Sequence, residues 1–383
     1  MMNFNEKIVF RKFLSDNTYF FLLCAISLSL IVWIIQAVNF LDFISEDGHS
    51  FDIYFYFTIL NFPKIFKNIL PFIFFLSLFY TISKYEEKNE LKIFWINGIN
   101  KVKFLNVLIK YTLLFFSFQV FLTSVISPSL QSQARTFLKE SNMDFFPSLL
   151  QEKKFIDTVD NLTIFIEKKN SLEEFENIFL KDDLNVNKSQ IIVAKKGFLK
   201  EVGGKRKLIL FDGKFLNNDE KKTTVFNFSK TEFDLSNYVT KSITHPKVQE
   251  LSTLFLLNCN YSFYIKKIES KYFAHNNVNI LCNEQYVKEI NQELFDRLIK
   301  PIYLFLITII SCFLITEFKE SHNYRSNKTL IFFVGIIFLI FSEMSVNYAG
   351  KNIYNTGIFY ILPLILIFLS YLNLINKLIY KKK

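Results

Sequence analysis

The strongest constraint on this chain is the spacing of its apolar runs. Stretches long enough to cross a bilayer lie at residues 18–40, 51–83, 104–126, 298–316, 329–346 and 357–375, with none between Ser127 and Arg297. A helix rises ~1.5 Å per residue, so about 20 apolar residues cross a ~30 Å hydrocarbon core. Inside lipid every backbone N–H and C=O must find a partner within the protein, and a helix meets that demand within one segment. The pattern predicts an α-helical polytopic membrane protein with six transmembrane helices in a 3+3 plan. Its expected parts are 1–127 with membrane helices 1–3, an inserted domain with a linker helix at 128–297, and 298–383 with membrane helices 4–6. Composition agrees, since 51% hydrophobic content and 48 Phe exceed what an ordinary soluble domain carries.

The net charge of +10 raises nucleic acid as a partner, but the distribution of the charge points elsewhere. Lys and Arg gather before the first run (Lys7, Arg11, Lys12), at 84–110, at 319–328 and in the tail that ends in Lys381, Lys382 and Lys383. The opposite short loops hold acidic Asp42, Glu46 and Asp47 and the single cation Lys351. By the positive-inside rule both termini lie in the cytoplasm and the insert lies outside. The run after Lys12 is too long for a signal-peptide core and lacks a small-residue cleavage site, so it reads as a retained first span. No nucleic-acid-binding signature is present, and the expected partner is an anionic amphiphile or membrane surface.

The second run is longer than one crossing. Pro63 and Pro71 interrupt it, with Lys64 and Lys67 between them. The reading is a kinked or amphipathic first part and a membrane segment from about 68 to 83. A mid-bilayer lysine costs about 2.5–3.5 kcal/mol on insertion scales, so the two lysines belong near an interface or a polar cavity. They either bind anionic groups of a substrate or snorkel.

Within the insert the apolar period changes to two, with Leu162, Ile164 and Ile166 on one face. Strands are expected at 155–159, 162–168, 177–180, 190–194, 207–211, 223–228 and 231–235. Turns are expected at Gly203-Gly204 and at Asp212-Gly213, the latter with type I′ chemistry. Short strands separated by turns predict a sandwich or β-jellyroll. Helix returns near 283. Cys259 and Cys282 lie in the insert, where an oxidising compartment permits a bridge, while Cys24 and Cys312 fall in apolar runs.

No catalytic constellation emerges. His49, His245, His275 and His322 are scattered without metal-ligand spacing, and Gly197 to Arg206 has the wrong spacing for a phosphate loop. No cofactor is expected on this chain. The stretch 84–100 carries more information. As a short helix it sets Leu91, Phe94 and Trp95 on one face with Glu86 and Glu90 four apart, and Gly98 closes it. Such a helix suits docking into a partner's groove, or it lies on the membrane surface. Glu293 and Arg297, four apart ahead of Pro301 in the first turn of span four, read as a gate or as an i,i+4 pair at a span end. Glu343 lines a polar path or reaches the interface.

These pieces together resemble the LptF/LptG (YjgP/YjgQ) permeases of lipopolysaccharide export. The similar stretches are Ile8-Val9-Phe10-Arg11, the doubled Asn61-Phe62-Pro63 and Leu70-Pro71, and Glu90-Leu91 with Asn97-Gly98. Ala134-Arg135, Asn161 to Ile166, and Glu293 to Pro301 agree as well. Trp33 to Gln36 and Asp42 onward look more like the LptF member. Phe94, Trp95 and Asn97 depart from the small residues usual around the coupling glycine. The resemblance implies an inner-membrane permease with a periplasmic jellyroll. Its implied partners are an LptG-like permease, an LptB-like ATPase dimer that uses ATP and magnesium, an LptC-like anchored jellyroll and an LptA-like bridge. It further implies that lipopolysaccharide enters laterally between spans one and five of the two permeases. It assigns ATPase coupling to the segment with Glu86, Glu90, Leu91, Phe94, Trp95 and Gly98. Two other classes stand beside it: an ABC permease that works a periplasmic partner without moving lipid, and a membrane enzyme acting on envelope lipids.

Overall fold

The computed structural model describes residues 4–41, 51–137, 152–159, 161–170, 174–185, 188–202, 205–219, 222–234, 247–261, 284–350 and 353–380. The acidic loop after Leu41, Gly203, Gly204, Cys282, Lys351 and the terminal lysines, all used above, lie outside these residues. The chain forms two compact units. One comprises Met1–Ile34, Asn61–Ser132 and Lys247–Lys383, and the other Ile35–Leu60 and Gln133–Pro246.

Six helices are long and apolar enough to cross a membrane: Glu6–Asn39, Phe51–Glu87, Lys101–Phe137, Tyr286–Thr316, Tyr324–Tyr348 and Thr356–Ile379. We number them spans one to six. Spans two and four form the interior, with 67% and 72% of their apolar windows buried, against 33% or less in the others. Small residues allow the close approach. Gly335 of span five lies against the Phe75 ring of span two, so closely that a Cβ would stand 2.1 Å from it. At one end Phe10, Phe13, Phe94 and Phe104 pack edge to face, Phe13 and Phe104 at 5.2 Å between centroids. Such pairs add ~0.5–1.5 kcal/mol beyond area burial.

The break in span two falls at Asn61, between helices Phe51–Leu60 and Phe62–Glu87, with Pro63 in the first turn of the second. That position needs no backbone N–H, so proline fits there. Pro71 sits inside the helix instead of ending it. It deprives the Lys67 carbonyl of its i+4 donor, and Gln119 Nε2 of span three donates to that oxygen at 2.9 Å. Two further prolines are accommodated in the same way. Pro301 frees the Arg297 carbonyl, which accepts from Thr123 Oγ1 at 2.9 Å. Pro128 frees the Ser124 carbonyl, which accepts from Thr253 Oγ1 at 2.6 Å. A π-helical turn precedes each of the last two, Leu122–Ile126 and Phe295–Ile299, and relieves the ring's clash with the helix. Neighbouring side chains replacing lost backbone donors is what permits proline inside a span.

The second unit carries a six-stranded antiparallel sheet in sequential order: β1 Phe155–Val159, β2 Leu162–Lys169, β3 Glu174–Asn185, β4 Lys188–Val202, β5 Lys205–Asp219 and β6 Lys222–Asp234. Its apolar cluster includes Ile164, Ile178, Leu180, Ile192, Ala194, Leu208 and Leu210. The strands are longer than the sequence predicts, and one feature explains the difference. Residues 177, 195, 212 and 229 lie on one row across β3–β6, because Ile178 pairs with Ala194, Ala194 with Gly213 and Gly213 with Phe228. Across this row the buried set changes parity: Ile192 and Ala194 are buried before it in β4, and Leu199 after it. Asn177 and Asp212 on the row have φ of 51° and 49°. Asp212-Gly213 is therefore a kink inside β5 and not a hairpin, and residues 223–228 and 231–234 belong to the single strand β6, with 235 outside the described residues. The left-handed residue flips the alternation and keeps one face apolar on both sides. Gly213 is required there, since a Cβ would stand 2.3 Å from the Val193 carbonyl and from the Phe228 ring. At the other expected turn Val202 pairs with Lys205.

Candidate functional site

Two clusters of polar residues lie near opposite ends of the membrane unit. The ~20 residues from Lys67 to Glu87 along one helix separate them by about 30 Å.

The first cluster is built on spans two, three, four and five. Lys67, 6% exposed, pairs with Asp296 at 2.9 Å. The other oxygen of Asp296 accepts from Lys300 at 2.9 Å, and Lys300 reaches Glu343 at 2.7 Å. The result is a chain of alternating charges that ends at an exposed carboxylate. One turn of separation places Asp296 and Lys300 on the same face of span four. Beside them Arg297 is fully buried. Its Nε donates to Glu293 at 2.8 Å, one terminal nitrogen to the Leu251 carbonyl and Thr253 Oγ1, and the other to the Gln249 carbonyl. The planar fork of a guanidinium suits this use of several donors at once. Arg297 thereby ties the segment at 249–253 to span four. Helix Thr253–Tyr261, which the sequence pattern does not predict, packs on helix Glu284–Leu294 through Leu256, Ile290 and Leu294. Cys259 on it is disulfide-bonded; Cys282 lies outside the described residues. Cys24 and Cys312 are free thiols.

Of the residues singled out in the sequence, Glu293, Arg297 and Pro301 come together here, and Lys67 lies beside them. Lys64 is half-buried and makes no ion pair among the described residues. Asp296, Lys300, Gln119 and Thr123 went unrecognised as partners. The signal for Asp296 and Lys300 was present as a second i,i+4 charge pair overlapping Glu293 and Arg297. Nothing local in the sequence joins Gln119 to Pro71 or Thr123 to Pro301.

The second cluster surrounds the short helix Glu90–Ile96, which follows Asn89 in left-handed conformation and is closed by Gly98 at φ +76°. Leu91 and Phe94 are buried against Phe10, Phe13 and Phe104, and Trp95 lies half-buried beside Phe104. The aromatic face is thus turned into the chain's own core. The residues left for a partner are Ile96 and Ile93, 84% and 50% exposed, with half-buried Glu90 alongside. The loop joining spans four and five, together with the first turns of span five, clasps this region. Lys92 pairs with Glu320 at 2.6 Å, Lys328 with Glu87 at 2.6 Å, and the backbone N–H of Lys319 donates to buried Glu86 at 3.1 Å. The Lys92 hydrogen bond lowers the pKa of Glu320 below its ordinary value. Among the described residues no group of His, Cys, Asp and Glu is placed to hold a metal ion.

Six bilayer-length helices with a β-sheet spliced between the third and fourth, and a short helix with one exposed edge between the second and third, make this a multi-pass membrane protein. The family model for the lipopolysaccharide export system permease LptF/LptG matches residues 11–377, and the chain belongs to that family. It is therefore a permease component of lipopolysaccharide export and not itself an enzyme. A curated protein of Rickettsia prowazekii (strain Madrid E), described only as uncharacterized, is 21% identical over 353 residues, covering 90% of this chain and 92% of its own.

Proposed function

We propose that the chain is the LptF-like permease subunit of an ABC transporter that extracts lipopolysaccharide from the inner membrane. The sheet, on the periplasmic side, receives the lipid and passes it towards the outer membrane. Its partners are an LptG-like permease, an LptB-like ATPase dimer that binds ATP and magnesium, an LptC-like anchored jellyroll and an LptA-like bridge. Both termini lie in the cytoplasm, in keeping with the basic residues at 84–110 and 319–328. Trp33 to Gln36 favours LptF over LptG; a second chain of the same 3–insert–3 plan in the genome tests that choice.

The observation that carries this reading is the short helix Glu90–Ile96 between spans two and three. Leu91 and Phe94 anchor it in the bundle while Ile93 and Ile96 stand free. A rigidly seated helix with an exposed apolar edge can transmit a push from a partner into spans two and three. Asn89 and Gly98 set its two ends, Glu86 ties the preceding helix to the loop at Lys319, and Trp95 braces it against Phe104. Lys64 serves anionic groups of the substrate, while Lys67, expected from the sequence to share that role, is buried and held by Asp296. Ile96→Asp combined with Ile93→Asp is expected to abolish co-purification with the ATPase and ATP-driven export while the chain still inserts and folds. Unchanged assembly and export would show that this edge is not the coupling surface.

A further inference from the structure

A crevice of about 300 Å³ opens between spans four, five and six, far from the Arg297 cluster and beside the second cluster, with which it shares Lys328. Its lining is graded along the helices. Ile310, Leu314, Val334 and Phe338 line its depth, and Asn327, Lys328, Asn373 and Lys377 lie towards its rim. The end of span four, the start of span five and the end of span six fall at one end of the bundle, because consecutive spans alternate in direction. From Lys328 to Phe338 is ten residues, or about 15 Å of helix, roughly half a ~30 Å hydrocarbon core. The crevice is thus as deep as one leaflet, polar at headgroup level and apolar at acyl level.

Charge at the rim is available to a ligand. Lys377 makes no ion pair among the described residues, and its Nζ lies 5.4 Å from the centre of the Phe313 ring. Lys328 is held by Glu87 at 2.6 Å, and the rim's carboxylate, Glu317, accepts from Asn327. Lys377 also borders the adjoining crevice beneath the short helix, where Lys101 and Trp95 contribute to the wall. Basic recesses between membrane helices on this side select anionic lipid headgroups.

We propose that this crevice is a binding site for a single anionic glycerophospholipid, with one acyl chain between spans four, five and six and the phosphate at Lys377. The crevice has room for one acyl chain at a time, and competition with purified lipid A separates this site from a path for the exported lipid. It sits where the Lys328–Glu87 pair joins span five to span two. A resident lipid would therefore brace the clasp around the short helix.

The test uses the full chain in nanodiscs of equal parts phosphatidylglycerol and phosphatidylcholine, followed by extraction and native mass spectrometry of retained lipid. One phosphatidylglycerol per chain is expected, favoured over phosphatidylcholine about fivefold, the ratio that ~1 kcal/mol of attraction to one lysine gives. Lys377→Gln should remove the preference and Lys377→Arg should keep it. Val334→Trp, which fills the crevice, should abolish retention of either lipid. Equal retention of the two lipids by the unaltered chain, preference surviving in Lys377→Gln, or displacement by purified lipid A or by inorganic phosphate would each overturn the proposal. Because Lys377→Gln changes only an exposed side chain, its outcome stands even if Val334→Trp does not fold. Export by the assembled transporter is a separate measurement, so failure here leaves the permease reading intact.

Discussion

At one end of the membrane bundle Arg297 is enclosed and its donors are distributed among Glu293, Thr253 and two backbone carbonyls. At the other end Lys92, Glu320, Lys328 and Glu87 form their pairs with side chains between 29% and 57% exposed. The same residue chemistry therefore serves two mechanical purposes. A buried ion cannot leave its partners without a large desolvation penalty, so the first end is fixed in a single arrangement. An exposed pair is worth little and exchanges readily with water, so the second end can rearrange. The proposed function uses that combination: the short helix moves with the stroke it receives, and the far ends of spans two and four carry the movement without coming apart.

Substitutions can break or sharpen this contrast. Arg297→Met should have the largest effect, because it strands buried Glu293 and releases the segment at 249–253. A loss of about 3–5 kcal/mol is expected, read as a lowered unfolding midpoint in detergent. A loss below about 1 kcal/mol would place this end in the same class as the other. Gln119→Leu keeps the volume of the side chain but removes the donor to the Lys67 carbonyl left free by Pro71. Leaving a buried carbonyl unsatisfied costs about 1–3 kcal/mol, and a neutral result would mean that water replaces the glutamine. Lys328→Ala removes an exposed pair and should cost about 0–1 kcal/mol, with the difference vanishing in high salt. An effect that persists in salt would show the clasp to be stiffer than its exposure implies.

The smallest effect concerns pH. The folded-state pKa of Glu320 is lowered, first of all by the Lys92 hydrogen bond. A depressed carboxylate pKa means that the contact is fully present above the ordinary pKa and is lost as pH falls through the folded one. Lys92→Ala should move the Glu320 titration back upwards in a site-specific NMR measurement. An unmoved titration would remove Lys92 as the cause.

The sheet offers a different lesson about legibility. Alternation in β2 could be read directly, since Leu162, Ile164 and Ile166 all face the core. From β3 to β6 the alternation reverses midway, and a reader expecting a strict period of two sees strand ends and turns where the chain continues. Asp212-Gly213 has the composition of a hairpin turn, and pairing with neighbours on both sides holds it inside a strand instead. Local propensity lost to long-range hydrogen bonding at that point.

The sequence by itself determined the number of membrane crossings, the insert between the third and fourth, and the lack of a catalytic motif. Those properties follow from the length of apolar runs and from residue chemistry, both of which are local. The tertiary structure alone decided which face of the short helix stays free. Leu91 and Phe94 look like a docking surface until Phe10, Phe13 and Phe104 are seen to occupy it. It also decided how Pro71, Pro128 and Pro301 are tolerated. Each frees a carbonyl whose new donor lies far along the chain, 52 residues for Gln119 and Lys67, 174 for Thr123 and Arg297, and 129 for Thr253 and Ser124. A hydrogen bond of that reach leaves no periodic trace in sequence, because only packing brings its two ends together.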